Sequence, residues 1–282
     1  MNDNKKDQAQ HQKELEVTSE NVRESSKYRE ILSRVIHEGE EIFKIKKRAM
    51  FLSAIIAGLE IGFSYILICT VFYLLQGSVD DSAIFRLFGV VYPLGFILVI
   101  LGKSALFTEQ TSVLALPVLN GQRSMWELLQ IWGIVIVGNV IGGMAFVFFI
   151  GSLASQLGLF NEETMVTIGR HVLAHDYWVL LVSAVFAGWL MGLLTWLLNS
   201  TLQILPRIII ITMITGTIGF IGFHHSIVGN IEVFGAFLHA ENISVQDYLL
   251  FLLITLIGNG IGGAIVVGLF KYRIFESNYE VK

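Results

Sequence analysis

The chain has 282 residues, of which 54% are hydrophobic and only 15% charged, with a mean hydropathy of +0.67. A soluble domain carries about 25% charged residues, so this composition indicates a polytopic membrane protein. The net charge of −4 leaves no basic footprint for nucleic acid, and the single cysteine, Cys69, excludes a disulfide framework within one chain.

Residues 1–25 are rich in Gln, Glu, Asn and Lys and read as a disordered polar tail. No apolar h-region is visible there, so no cleavable signal peptide is expected, and the spans themselves act as the insertion signal. Residues 26–48 follow as a second unit. In "SSKYREILSRVIHEGEEIF" the residues Ile31, Leu32, Val35, Ile36 and Phe43 recur at helical spacing between charges, which predicts either an amphipathic helix on the membrane surface or a solvated one. The basic group "KIKKR" closes this unit at the first membrane boundary.

Six apolar regions come next, at about 50–76, 87–119, 128–157, 178–204, 208–238 and 247–270. A span needs about 20 residues, so the second and fifth regions are too long, and each is read as two half-helices with a break between them. Cys69, inside the first region, is read as facing lipid or packing in the core. Arg123, Arg207, "KIKKR", Lys271 and Arg273 fall on one side of a six-span arrangement. The opposite loops are mainly acidic, with Arg86 and Arg170 the exceptions. This bias predicts that both termini, including the tail 273–282, are cytoplasmic.

An internal repeat is visible. "SAIIAGLEIG" from Ser53 matches "SAVFAGWLMG" from Ser183, and "GNVIGG" from Gly138 matches "GNGIGG" from Gly258. Two halves of three spans, 49–160 and 161–272, are implied; three is odd, so the halves cross the membrane in opposite directions as an inverted repeat. The small residues of these motifs suit close helix contacts, across which Asn139 and Asn259 could hydrogen-bond.

The interruptions are "GKSALFTEQT" (102–111) and "FHHSIVGN" (223–230). Backbone that leaves the helix inside a membrane must be buried in protein or line a wet cavity. Lys103, Glu109 and Glu232 therefore need partners or water. Lys103 pairs with one of these glutamates, snorkels to the interface or attracts an anion, while Glu60 either joins that network or supports the packing of the first helix. A histidine can exist in both protonation states at working pH and so can exchange a proton with a weak-acid anion; a membrane histidine can equally be a satisfied helix contact.

Taken together, "LFT" in the first break, "HS" with a following asparagine in the second, and the mirrored "GN-x-IGG" helices resemble the formate/nitrite transporter family over about 45–272. The resemblance implies an all-α, aquaporin-like protomer of six spans with the second and fifth broken. It also implies a homopentamer with one pore per protomer, and passage of small monovalent weak-acid anions with or without a proton. By motif, His225 is similar to the central pore histidine and Thr108 to the threonine that bonds it or the substrate. Phe107, Phe96 and Tyr92 resemble the apolar constrictions, with Ile218 facing them. The spacing of Asn230 from His225 is one residue longer than the family pattern, so His224 and His225 both stay candidates. Arg170 and His171 flank Val172, which occupies the place of the family's vestibule lysine.

The expectation is a channel in an inner cell membrane that is pH-dependent through a pore histidine, has no cofactor and is not an enzyme; its partners are lipid and a small anion. A neutral-solute channel and a non-transporting sensor are the alternatives. A haem or metal enzyme using His224, His225 and His239 is disfavoured, because adjacent histidines converge poorly on one ion.

Overall fold

The computed structural model describes residues 28–279, and among them the chain is helical with no strand. The expected tail at 1–25 lies outside the described residues. Helix α1 covers 28–44. It is followed by α2 (Lys47–Leu75), α3 (Asp81–Val91), α4 (Pro93–Gly102), α5 (Phe107–Leu119) and α6 (Met125–Ala154). The second part contains α7 (Glu162–Leu173), α8 (Tyr177–Leu198), α9 (Ile204–Ile221), α10 (Ser226–His239) and α11 (Val245–Gly260). Helix α11 widens into π turns over Ile261–Leu269 and continues as α12 (Phe270–Tyr279).

Among the described residues, six stretches are long and apolar enough to cross a membrane: Lys47–Leu75, Asp81–Gly102, Met125–Ala154, Tyr177–Leu198, Ile204–Ile221 and Val245–Ile274. The two overlong regions are broken as expected, though the breaks are short, covering 103–106 and 222–225 before α5 and α10 begin. Each break opens with a left-handed residue, Lys103 (φ 63°) after α4 and Gly222 (φ 83°) after α9. Such a conformation reverses the chain sharply, which suits glycine and costs a lysine about 1–2 kcal/mol.

A further bend between α3 and α4 has its cause in Pro93, which lacks the N–H a continuous helix needs. Ser64 on α2 mends the gap, donating its hydroxyl to the Tyr92 carbonyl (2.7 Å) and accepting the Gly95 N–H (2.8 Å). Local signals set the other helix ends. Asp80 caps α3, Asn161 caps α7, and Ser124 with Glu127 and Ser244 with Asp247 form capping boxes on α6 and α11.

The long helices pack in two matched pairs, α2 along α6 and α8 along α11 with its π turns. At Gly58 an added methyl would lie 2.3 Å from the Asn139 carbonyl oxygen, and at Gly188 one would lie 2.2 Å from that of Asn259. Only glycine permits either approach. These glycines belong to the "SA…AG" motifs, so the sequence similarity corresponds to one contact made twice.

Cys69 is fully buried in the main core, which decides between its two readings. Helix α1 presents Leu32 and Val35 to Val113, Leu116 and Trp196, so its apolar face packs on protein. Two ion pairs anchor it: Glu40 accepts a two-pronged bond from Arg123 (2.8–3.2 Å), and Glu38 lies 3.8 Å from Lys103. Facing outward, the bundle exposes Leu52, Phe63, Phe148, Phe149, Trp178 and Leu253, among others, as hydrocarbon or a neighbouring apolar surface requires.

Candidate functional site

Both breaks are held by the same device. Asn139 donates to the carbonyls of Ala54 and Ala105 (2.8 Å each) and accepts the Phe107 N–H (2.9 Å). Asn259 donates to the carbonyls of Ala184 (2.8 Å) and His224 (3.0 Å) and accepts the Ser226 N–H (2.8 Å). A serine completes each set: Ser53 Oγ accepts the Ala105 N–H (3.0 Å), and Ser183 Oγ accepts the His224 N–H (3.1 Å). Backbone groups freed by leaving the helix are thus satisfied inside the protein, as burial demands. The asparagines do more than the helix-to-helix bond expected of them, since they fix where α5 and α10 start.

Those starts meet at a histidine and a threonine. His225 is the N-cap of α10, and its Nδ1 accepts the Val228 N–H (3.3 Å). The neutral ring therefore carries its proton on Nε2, which lies 2.7 Å from Thr108 Oγ1 in the first turn of α5. Both side chains are almost fully buried. The Phe96 ring stands perpendicular to the imidazole at 5.0 Å, and Tyr92 stacks on Phe96 at 5.4 Å. Ile218 is fully buried nearby on α9. Phe107 turns the other way, its ring against Trp132 of α6 at 5.6 Å.

A cavity of about 400 Å³ reaches this meeting point from the side of the molecule that bears α7. Phe85 and Arg86 of α3, His171 of α7, His175 of the following loop and Phe220 at the end of α9 line its outer part, and His225, Gly229 and Glu232 line it from α10. The Arg86 guanidinium donates to the Phe220 and Ile221 carbonyls (3.1 Å each), the negative end of the α9 dipole. His171 stacks on Phe85 at 3.5 Å; burial above all, with His175 and Arg86 adding to it, holds its pKa below the ordinary histidine value. Arg86 and His175 were not among the candidate residues. Each looks like an isolated loop polar group in the sequence, and only folding brings them to one cavity.

The two candidate histidines differ sharply. His224 also lines the cavity, held with its Nδ1 2.8 Å from Ser183 Oγ and its Nε2 3.2 Å from the Val172 carbonyl. His225 alone touches Thr108 and Phe96. Two expected placements do not hold. Lys103 pairs with neither Glu109 nor Glu232; its left-handed backbone turns the side chain out, 71% exposed, toward Glu38 on the face bearing α1, as the interfacial alternative expects. Glu109 lies on that same face, within the field of Glu38, Lys103 and Arg207. Asn230 does not line the cavity; it accepts the Tyr248 hydroxyl and abuts Gly143, between α11 and α6.

Of the flanking pair at the mouth, His171 lines the cavity, while Arg170 bonds Asn242 (2.7 Å) at a separate depression of about 300 Å³. His239 points elsewhere, toward Glu162 (3.4 Å), and no group of three metal-ligating side chains is found among the described residues. Glu60 sits beside the first break near Gly102, with one carboxyl oxygen buried and unpartnered.

This arrangement matches known proteins over nearly the whole chain. The family model described as "Formate/nitrite transporter" matches residues 29–273. Inner membrane protein YfdC of Escherichia coli (strain K12) is 32% identical over 294 aligned residues, covering 97% of this chain and 90% of that protein. A solved structure titled "FNT family ion channel" covers 86% of this chain and 98% of its own, with a TM-score of 0.78 at 20% identity. A second, titled "Pentameric formate channel with formate bound", covers 81% and 97% with a TM-score of 0.70 at 24% identity. At those identities the structural likeness establishes the shared fold, while the match of sequence to family runs through both breaks and both asparagine helices. The chain belongs to the formate/nitrite transporter family, a family of channels and transporters rather than enzymes.

Proposed function

We propose that the chain conducts small monovalent weak-acid anions of the formate or nitrite type across an inner cell membrane, in a pH-dependent manner set by His225. The observation that carries this reading is the 2.7 Å contact between His225 Nε2 and Thr108 Oγ1 where two broken helices meet at the end of a cavity. An anion enters that cavity past Arg86 and His171 and loses water against Tyr92 and Phe96. It then meets the Thr108 hydroxyl, whose own proton is free to donate while its oxygen accepts from His225. The positive ends of the α5 and α10 dipoles add to the attraction. A proton reaching the imidazole adds at Nδ1, displaces the Val228 N–H, and creates a cation that pairs with the anion. Apolar walls and one titratable group disfavour cations and strong-acid anions.

The matched contacts of Asn139 and Asn259 support an inverted repeat, and the charge bias of the loops supports cytoplasmic termini. The pentameric relative and the outward apolar faces support a homopentamer with a pore in each protomer. Uptake of formate, nitrite, hydrosulfide, acetate and lactate into proteoliposomes at several external pH values tests the reading. Wild type is expected to take up at least one of them faster in acid, and His225→Ala to change that pH dependence. Water or glycerol flux without anion uptake in well-inserted protein would replace this reading with a neutral-solute channel.

A further inference from the structure

One group in the cavity contradicts a plain anion path. Glu232 is seven residues after His225 on α10, on the same face and about 10 Å along the axis, and both line the cavity with Gly229 between them. Its side chain is buried at 8% exposure, yet among the described residues no Lys, Arg or His pairs with it. A carboxylate left there would repel every anion that approaches His225 and would be costly to keep without a counter-ion.

The groups around it supply protons or none, but no fixed positive charge. Tyr65 and Cys69 face it from α2 and Tyr92 from the α3–α4 bend, all within its field. The Tyr65 hydroxyl is buried beside Cys69 and lies against Gly235, one turn along from Glu232. From α11, Tyr248 is engaged by Asn230, and on α10 itself His239 is turned to Glu162. Across the cavity stand His171, His175 and His224, with Arg86 committed to the α9 carbonyls.

We propose that Glu232 is a proton-binding site of the permeation path, at which a proton must be taken up for an anion to occupy the inner end of the cavity beside His225. This rests on the anion-channel reading and deepens it: the cavity then accepts proton and anion together, and the translocated species is a proton with a monovalent anion. Coupling is reciprocal, so an anion in the cavity raises the affinity of Glu232 for a proton just as the proton admits the anion. The step is a proton transfer: an O–H bond of a hydronium ion on the α7 side breaks, leaving water, and the carboxyl O–H forms.

Purified full-length protein in detergent, in weakly buffered solution with a pH indicator, is titrated with nitrite near neutral pH. Wild type is expected to take up protons as nitrite binds. Glu232→Gln, a neutral mimic of the protonated acid, should take up about one proton fewer per chain. Glu232→Asp, which keeps a carboxyl, should retain the uptake and so excludes a merely structural loss. In proteoliposomes Glu232→Gln should match wild type at acid pH and exceed its nitrite uptake about tenfold at alkaline pH, the repulsion of two charges some 10 Å apart having been removed. Equal proton uptake by wild type and Glu232→Gln, or no proton uptake with nitrite in wild type, overturns the Glu232 site. Absence of nitrite, formate or other anion flux through well-inserted wild type overturns the channel reading instead, and the detergent titration reads independently of it.

Discussion

Changing Asn259 to Asp tests the claim that one side chain holds the second break. The aspartate is the same shape and can still accept the Ser226 N–H, but it has no N–H₂ to donate. Two bonds are lost, to the Ala184 carbonyl at 2.8 Å and the His224 carbonyl at 3.0 Å. Each is worth about 1 kcal/mol net, and each carbonyl is then left buried against an oxygen, at about 1–3 kcal/mol more if nothing replaces the donor. Allowing for partial relaxation, Asn259→Asp should cost about 3–6 kcal/mol. Asn139→Asp, which loses two bonds of 2.8 Å to Ala54 and Ala105, should cost a similar amount. Thermal melting in detergent reads the stability, and anion uptake reads the consequence for His225, the residue immediately after the His224 carbonyl. Both variants are expected to melt well below wild type, with uptake reduced about tenfold or more in Asn259→Asp. Melting of both variants within error of wild type would refute the reasoning, since the freed carbonyls would then have found other donors and the asparagines would not hold the breaks.

Lys103→Gly relieves a left-handed backbone that costs a lysine about 1–2 kcal/mol and loses a solvent-exposed pair with Glu38 worth less than about 1 kcal/mol; it should raise the melting midpoint, and a fall would locate the value of Lys103 in its side chain. The docking of α1 should depend on pH through Glu40, whose carboxyl the Arg123 guanidinium holds below the usual carboxylate range. Because that pKa is lowered on folding, the contribution is full above the unfolded value near 4.5 and is lost as pH falls through the lower folded value. With side chains 25% and 19% exposed, the pair is worth about 1 kcal/mol. Hydrogen exchange of 28–44 should therefore be faster in Glu40→Gln than in wild type at neutral pH and converge in strong acid; equal exchange at neutral pH would assign docking to the apolar contacts of Leu32 and Val35 and to Glu38.

Much of the fold is legible before folding is considered. Apolar runs longer than a bilayer with polar centres give two broken helices, because hydrocarbon tolerates neither the extra length nor the loose backbone. The bend at Pro93 is not legible in the hydropathy pattern, since it lies inside an apolar run that the proline leaves unchanged. At the site, Thr108 and His225 came from resemblance; nothing in their spacing alone brings position 108 to position 225.

The sequence by itself determined the class of the molecule, the six spans, the two breaks, and the small-residue motifs that let paired helices touch, all of which depend on composition and local periodicity. Only the tertiary structure sets His224 and His225 apart, since adjacent residues at the start of a helix point in different directions and each meets different partners: Ser183 and Val172, or Thr108 and Phe96. It also turned Lys103 and Asn230 away from the cavity and brought Arg86, His175 and Glu232 to it. The physical reason is the same in each case: which face of a helix looks into a cavity depends on where its neighbours pack, and that information is not contained in any one segment of the chain.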